Sequence, residues 1–327
     1  MITQKELAKK CGVSVSAVSA AFKRPQHLSR EVREKILAAA LDMGYFSAKT
    51  EVKNIGLLFN NFHDHFFGEY YNEIIYGIME RLSQLNLRCQ IFNKVPEKYA
   101  DICELHGFLV VGNNTVSIAK PLLDFKMPTV LVECTKKEAE TFSRIYFDNY
   151  SGVKQLTDYL LYCGHHNIAV LNGETDPEDF FWKNFQKAIL DSFAENNVSS
   201  THMKFYQADY SNIQTVELNI NKILSTNKNV SCIMCSNDLF AYQTLKILSG
   251  YGIKVPEQIS LTGFDGINLP FYLNEPEVKL TTVFADRTDI SKQAVDLLLQ
   301  VIPDKKMRIV KMETKLLIGK SVKRLRV

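Results

Sequence analysis

The sequence predicts an all-α helix-turn-helix head followed by a larger α/β body of two lobes, in which Rossmann-like parallel sheets are covered by helices. Three observations carry that prediction. Residues 1–50 hold nine Lys/Arg against four Asp/Glu, whereas the remaining 277 hold thirty against thirty-two, so the positive charge is gathered at the front. The same front segment reads as three short, individually capped helices. From Ile55 onward, short apolar runs alternate with amphipathic stretches, the pattern of strands and helices in parallel α/β folds. The 327 residues are 46% hydrophobic and 23% charged, enough for two or three compact units with sizeable cores.

The head can be followed residue by residue. Thr3 is a helix N-cap, and Glu6, three residues on, completes a capping box. Leu7 and Ala8 give the first helix an apolar side, and it ends at Lys10. Gly12 supplies the positive φ of a tight turn. Ser14 caps a second helix, with Ala17, Val18 and Ala21 available for packing. After the loop Lys23-Arg24-Pro25-Gln26-His27, Ser29 caps a third helix, with Val32, Ile36, Leu37, Ala40 and Leu41 at helical spacing and Gly44 as its stop. Two short helices across a glycine turn, braced by a third on a basic background, describe a helix-turn-helix. A phosphate backbone would attract this segment and largely ignore the rest.

In the body the strands are expected at 55–59, 88–92, 107–111, 129–133, 144–147, 167–171, 204–207, 230–235, 260–264 and 281–284. Helices are expected at 70–85, 116–124, 150–162, 180–195, 213–224, 238–251 and 287–301. So many strands divide more comfortably into two sheets than one. Ligands of open α/β sheets sit beyond the carboxyl ends of strands. That rule selects Asn60 and Phe62 after the first strand, Gly112-Asn113 after the third, Glu133 after the fourth, then Ser236-Asn237-Asp238 and Asp265. Carboxylates and amides facing aromatic rings suit a polyol or sugar. Asp238 has two open readings, a ligand group or the cap of the helix it starts. Phe66, Phe67, Tyr70 and Tyr71 read more simply as core or rim packing.

Several chemistries are set aside. The seven scattered cysteines read as reduced, mostly buried thiols. Cys232-x-x-Cys235 lies on an expected buried strand, where residues three apart point to opposite faces, and no second such pair completes a zinc site. His63-x-His65 and His165-His166 lack ligand partners at metal spacing. No GxSxG, GxxxxGK[ST] or GxGxxG motif occurs, so neither an enzyme nor a cofactor is expected. Met1 leads straight into polar, helix-forming residues, and no apolar run is long enough to span a bilayer; a cytoplasmic location and no membrane partner are the expectation.

The run from Ile2 to Ser19 closely resembles the head of the lac-repressor (LacI/GalR) family, and Leu28–Ile36 with Gly44-Tyr45 resembles that family's third helix. The resemblance continues through Asn54–Phe59, Gly107–Gly112, Pro128–Val132, Phe147-Asp148-Asn149, Gly164-His165, Ser236-Asn237-Asp238, Val255-Pro256, Ile259–Asp265 and Leu280–Val283, and so covers essentially the whole chain. It implies a head at 1–45, a linker at 46–54, and two periplasmic-binding-protein-like lobes at 55–162 plus 285–310 and 163–283 plus 312–327. It also implies a homodimeric repressor whose affinity for a double-stranded DNA operator is set by a small molecule in the cleft between the lobes. A sugar or sugar derivative is the favoured class. Carried over by position, Val15, Ser16 and Ala20 would meet base edges, with Thr3, Ser14, Ser19, Lys23, Arg24 and His27 mainly on phosphates.

The chain departs from the family pattern in three places. Ala20 stands where a long polar residue is frequent, so base reading leans toward thymine methyls and DNA shape. The linker is about seven residues shorter than usual, roughly two helical turns, and lacks an alanine-leucine hinge pattern. Phe181, followed by Trp182 and Lys183, occupies the place of a cleft arginine, which removes a bidentate donor from the expected effector site.

Overall fold

A computed structural model describes residues 2–45, 52–59, 65–112, 115–173, 180–209, 211–267 and 278–325. The head is built as its caps demand. Helix α1 (Gln4–Cys11) carries the complete Thr3/Glu6 capping box and ends on Gly12 at φ 67°. Helix α2 (Val15–Lys23) is capped by Ser14, whose hydroxyl accepts from the Ala17 N–H at 3.1 Å. Helix α3 (Arg30–Asp42) is capped by Ser29. Leu7, Val18, Ala21, Ile36 and Ala40 close the head's core, flanked by Phe22 and Tyr45, whose rings stack with centroids 5.6 Å apart.

The first compact unit contains this head and a lobe built on a six-stranded sheet. In chain order the lobe has β1 (Asn54–Phe59), α4 (His65–Gln84), β2 (Arg88–Phe92), α5 (Tyr99–Ile102), β3 (Gly107–Val111), α6 (Val116–Ala119), α7 (Pro121–Asp124), β4 (Thr129–Val132) and β5 (Ser143–Phe147). With β11 (Ile309–Met312) at one edge, the order across the sheet is β11-β5-β4-β3-β1-β2, with β1 to β5 pairing in parallel. Every residue of β3 and β4 is buried, as a strand covered on both faces requires. Helix α12 (Arg287–Asp304) returns to this lobe. It is held to α4 by the Arg287–Glu73 ion pair, by the Ser291 hydroxyl donating to the Ile74 carbonyl at 2.9 Å, and by Arg81 gripping Asp296.

The second unit has a four-stranded parallel sheet in the order β7-β6-β8-β9, formed by β6 (Ile168–Gly173), β7 (Lys204–Ala208), β8 (Cys232–Cys235) and β9 (Ser260–Thr262). Around it lie α8 (Asn149–Tyr162), α9 (Phe180–Glu195), α10 (Ile213–Thr226) and α11 (Asp238–Gly250). The pleat sends alternate side chains to two cores. Val170 and Met234 join Phe185, Phe193 and Phe264 on one face, while Leu171 and Ile233 join Phe240 and Leu248 on the other. A two-stranded antiparallel ribbon of β10 (Thr282–Phe284) and β12 (Lys315–Leu317) completes the unit, and β11 (Ile309–Met312) edges the first lobe's sheet.

The structure corrects the expected layout in four places. The first crossover falls between Tyr146 and Phe147, so α8 belongs to the second unit and not to a first lobe running to 162. Its inward residues Val153, Leu156 and Leu160 pack with α9 rather than on the first sheet. The expected helix 116–124 breaks at Lys120-Pro121, because proline offers no N–H to continue the ladder. Leu41, read as part of the head's apolar stripe, packs instead on the first lobe's core around Leu105, Leu122 and Met127. Finally, β11, β12 and α5 were not anticipated.

Candidate nucleic-acid interface and sensor residues

On the head, one face of α2 is left to solvent. Val15 is 41% exposed, Ser14 and Ser16 are exposed with their hydroxyls 2.8 Å apart, and Ser19 and Ala20 are half-buried. Lys23, Arg24 and His27 are exposed at the end of α2 and in the turn beyond it. The opposite face, Val18 and Ala21, is wholly buried. A helix locked from behind and bare in front presents methyls at Val15 and Ala20, a hydroxyl at Ser16 and cations at its C-terminal end. That arrangement fits a major groove by size and charge. Thr3 is exposed, but its hydroxyl is engaged: it donates to Glu6 Oε2 at 2.8 Å and accepts from the Glu6 N–H at 3.2 Å. The Thr3 N–H and hydroxyl together hold the Glu6 carboxyl below its usual range.

In the first lobe, Asn60, Phe62 and Asn113 lie outside the described residues. Glu133 follows β4 at φ 61°, buried, with its N–H donating to the Ile145 carbonyl at 2.9 Å. A left-handed residue directly after a strand turns the chain away from the sheet, which is how a strand end comes to carry a site.

In the second unit the structure sorts the candidates. Asn237 is the N-cap of α11, its side chain accepting from the Phe240 N–H at 2.9 Å. The open question about Asp238 is thereby answered: it is neither the cap nor exposed to a ligand. It is 1% exposed and accepts from the Ile267 N–H and the Thr282 hydroxyl, both at 2.6 Å. A Cβ on Gly263 would fall 2.0 Å from that carboxylate, so the chain passes Asp238 only as glycine. Asp238 thus ties the segment from Gly263 to Ile267, and between these points Asp265 stands half-buried at φ 95°. Phe181 is half-buried and lies edge-on to Phe264, 6.5 Å between centroids, which places it beside the Gly-Phe-Asp segment. Lys183 is exposed. Trp182 goes the other way: at 4% exposed it stacks on Phe185 and meets Phe205 edge-on, and it serves the core rather than a ligand. Sequence reasoning missed Asn172, at the carboxyl end of β6. It is buried, and its amide nitrogen has no hydrogen-bond partner among the described residues. The strand-end rule applied to β6 would have found it.

The Cys232-x-x-Cys235 pair and His165 serve the core, and His63 lies outside the described residues. Cys232 packs in one core of the second sheet and Cys235 in the other, on opposite faces. Burial pushes the Cys232 thiol well up and Cys235 to about 12, so neither is a thiolate near neutrality. His165 is fully buried, one ring nitrogen 3.0 Å from the Ser231 hydroxyl and the other 2.9 Å from the Lys323 carbonyl, and burial lowers its pKa. Among the described residues no cluster of His, Cys, Asp and Glu is arranged to hold a metal, and no helix is long and apolar enough to cross a membrane.

Residues 157–322 match the periplasmic binding protein-like domain, half of the chain. A curated relative, the HTH-type transcriptional regulator MalR of Clostridium butyricum, is 28% identical over 91% of this chain and 92% of its own length. The chain belongs to the periplasmic binding protein-like family. Solved structures agree in fold. A LacI-family regulator from Enterococcus faecium with bound ribose superposes with a TM-score of 0.67 at 20% identity, covering 84% of this chain and all of that one. The lac repressor dimer bound to operator and an anti-inducer gives 0.68 at 18%, covering 98% and 99%.

Proposed function

We propose that this chain is a homodimeric repressor of the LacI type that binds an operator duplex through α2 and releases or tightens it when a small molecule, a sugar or sugar derivative, occupies the sensor. The exposed α2 face carries the proposal: a small helix, buried behind and bare in front, with Lys23, Arg24 and His27 at one end, on a chain whose body is a ligand-sensor fold. The ribose held by the E. faecium relative and the operator held by the lac repressor dimer point the same way.

On the duplex, Val15, Ser16 and Ala20 meet base edges and Ser14, Ser19, Lys23, Arg24 and His27 meet phosphates. In the sensor, Asp265 and Asn237 take hydroxyls, with Phe181 as an apolar wall, and Glu133 remains a candidate from the strand-end rule. Asn60, Phe62 and Asn113 remain part of the proposed site from sequence. The effector is expected to be less anionic than one held by arginine, because Phe181 offers no guanidinium.

Thermal-shift screening against a panel of neutral sugars and sugar acids finds the ligand, and calorimetry on two variants tests the site. Asn237→Asp keeps the cap acceptor for the Phe240 N–H, and Asp265→Asn keeps the shape of a strained position. Both are expected to weaken binding at least tenfold without lowering the melting temperature appreciably. Unchanged affinity in both removes these residues from the site.

A further inference from the structure

Helix α3 has two working faces. Val32, Ile36, Ala39, Ala40 and Met43 close the head's core, and Glu34, Leu41 and Asp42 look outward onto the first lobe. Each outward residue has a definite partner there. Helix α5 starts at Tyr99 and has no side-chain cap of its own, since Lys98 supplies none. The Glu34 carboxylate fills that role from the head, accepting the Tyr99 N–H at 3.0 Å. Leu41 is laid on the lobe's apolar cluster. Asp42 pairs with Lys126, and that hydrogen bond holds its carboxyl below the usual range. Leu41, Gly44, Leu105, Met127, Pro128 and Ile302 line a small crevice at this seam. The Asp42–Lys126 pair is half-exposed on both sides and weak, so the capping bond and Leu41 dominate the seam.

We infer that the head is seated on the first lobe as one rigid body through this seam, so that α3, and not the linker, positions the reading helix. A two-faced helix needs no second element to transmit movement. Whatever shifts the lobe shifts α3, and α3 carries α2 with it through the shared core of Ile36, Ala40 and Val18. The seam leaves Val15, Ser16, Lys23, Arg24 and His27 exposed, so seating does not compete with DNA. The short linker then needs only to connect. This rests on the proposed DNA reading for its consequence, but not for its structural content.

Two measurements on the full chain separate those parts. Hydrogen exchange reads the seam without DNA. The Tyr99 amide is expected to be protected in the wild type and to exchange about tenfold faster or more in Glu34→Ala, with the amides of α1 and β3 unchanged. An unprotected Tyr99 in the wild type, or no difference on substitution, overturns the seam. Selection of duplexes from a random-sequence pool then reads its consequence. A four-residue Gly-Ser insertion within residues 46–51 should leave affinity for the selected duplex within about twofold, whereas Glu34→Ala with Leu41→Ser should weaken it at least tenfold. The reverse pattern, sensitivity to linker length and indifference to the seam, overturns the inference. If no duplex is enriched, the proposed repressor function fails, and the seam stands or falls on exchange alone.

Discussion

Asp238 offers the sharpest structural test, because two of its hydrogen bonds join it to separate parts of the chain. The carboxylate is 1% exposed and takes the Ile267 N–H and the Thr282 hydroxyl, each at 2.6 Å. Asp238→Ala removes the acceptor and strands both donors, which are themselves on buried residues. A buried donor left without a partner costs about 1–3 kcal/mol, so the loss should total about 2–6 kcal/mol. Asp238→Asn retains one acceptor oxygen and should lose about half as much. Urea unfolding followed by fluorescence suits the question. The chain has one tryptophan, Trp182, and it is buried in the same unit, so the signal reports this sheet rather than the whole protein. The order wild type, Asn, Ala is expected. A loss below about 1 kcal/mol for Asp238→Ala, or one equal in both variants, would refute the assignment of Asp238 as the tie of the Gly263–Ile267 segment.

Three further predictions follow from other parts of the chain. Ala20→Arg places a guanidinium on the exposed side of α2, and duplexes selected by the variant should gain a G·C preference at one position per half-site, worth about 1–3 kcal/mol; an unchanged selected sequence would mean that Ala20 does not face bases. A thiol reagent applied to the native protein should modify Cys89, the half-buried cysteine, before any other, with Cys232 and Cys235 reacting only on unfolding; rapid native labelling of the pair would contradict their burial in the two cores of the second sheet. The folded pKa of Glu6 is depressed, so its contribution to the head is fully present above the carboxylate's unfolded value and is lost as pH falls through the folded one. Thr3→Ala should abolish that acid dependence in the head's helical signal, and a Thr3→Ala head with an unchanged acid profile would place its origin elsewhere.

What was legible in the sequence follows the range of the forces involved. The head's three helices were readable because each carries its own start signal: Thr3 with Glu6, Ser14 and Ser29 all cap where their residue types demand. The inner strands were readable because Gly107–Val111 and Thr129–Val132 are continuous apolar runs, which a sheet covered on both faces requires. Edge elements were not. Ile309–Met312 keeps only Met312 buried and mixes in Lys311, and α5 owes its first hydrogen bond to Glu34, 65 residues earlier. No local pattern announces a cap supplied from another element. The crossover at Tyr146–Phe147 was misplaced for a related reason, since the apolar face of α8 fits either sheet and only its packing on α9 decides.

The site shows the same division. The strand-end rule selected Asn237 and Asp265, which stay proposals, and it offered Asp238 as a possible ligand group when the fold uses it internally. Asn172 was missed because the rule was not applied to β6; that its amide nitrogen has no partner among the described residues is visible only once its neighbours are placed. Trp182, next to Phe181 in sequence, turns into the core because successive residues of a helix point about 100° apart.

The central claim is that the head reads DNA sequence through α2 on a phosphate-anchored base. Fluorescence anisotropy with a duplex selected by the protein, against a scrambled duplex of the same composition, tests it most directly when repeated between about 50 and 200 mM salt. The account predicts a preference of at least about a thousandfold for the selected duplex, with both affinities falling steeply as salt rises. Equal affinities for the two duplexes, or binding indifferent to salt, would contradict it.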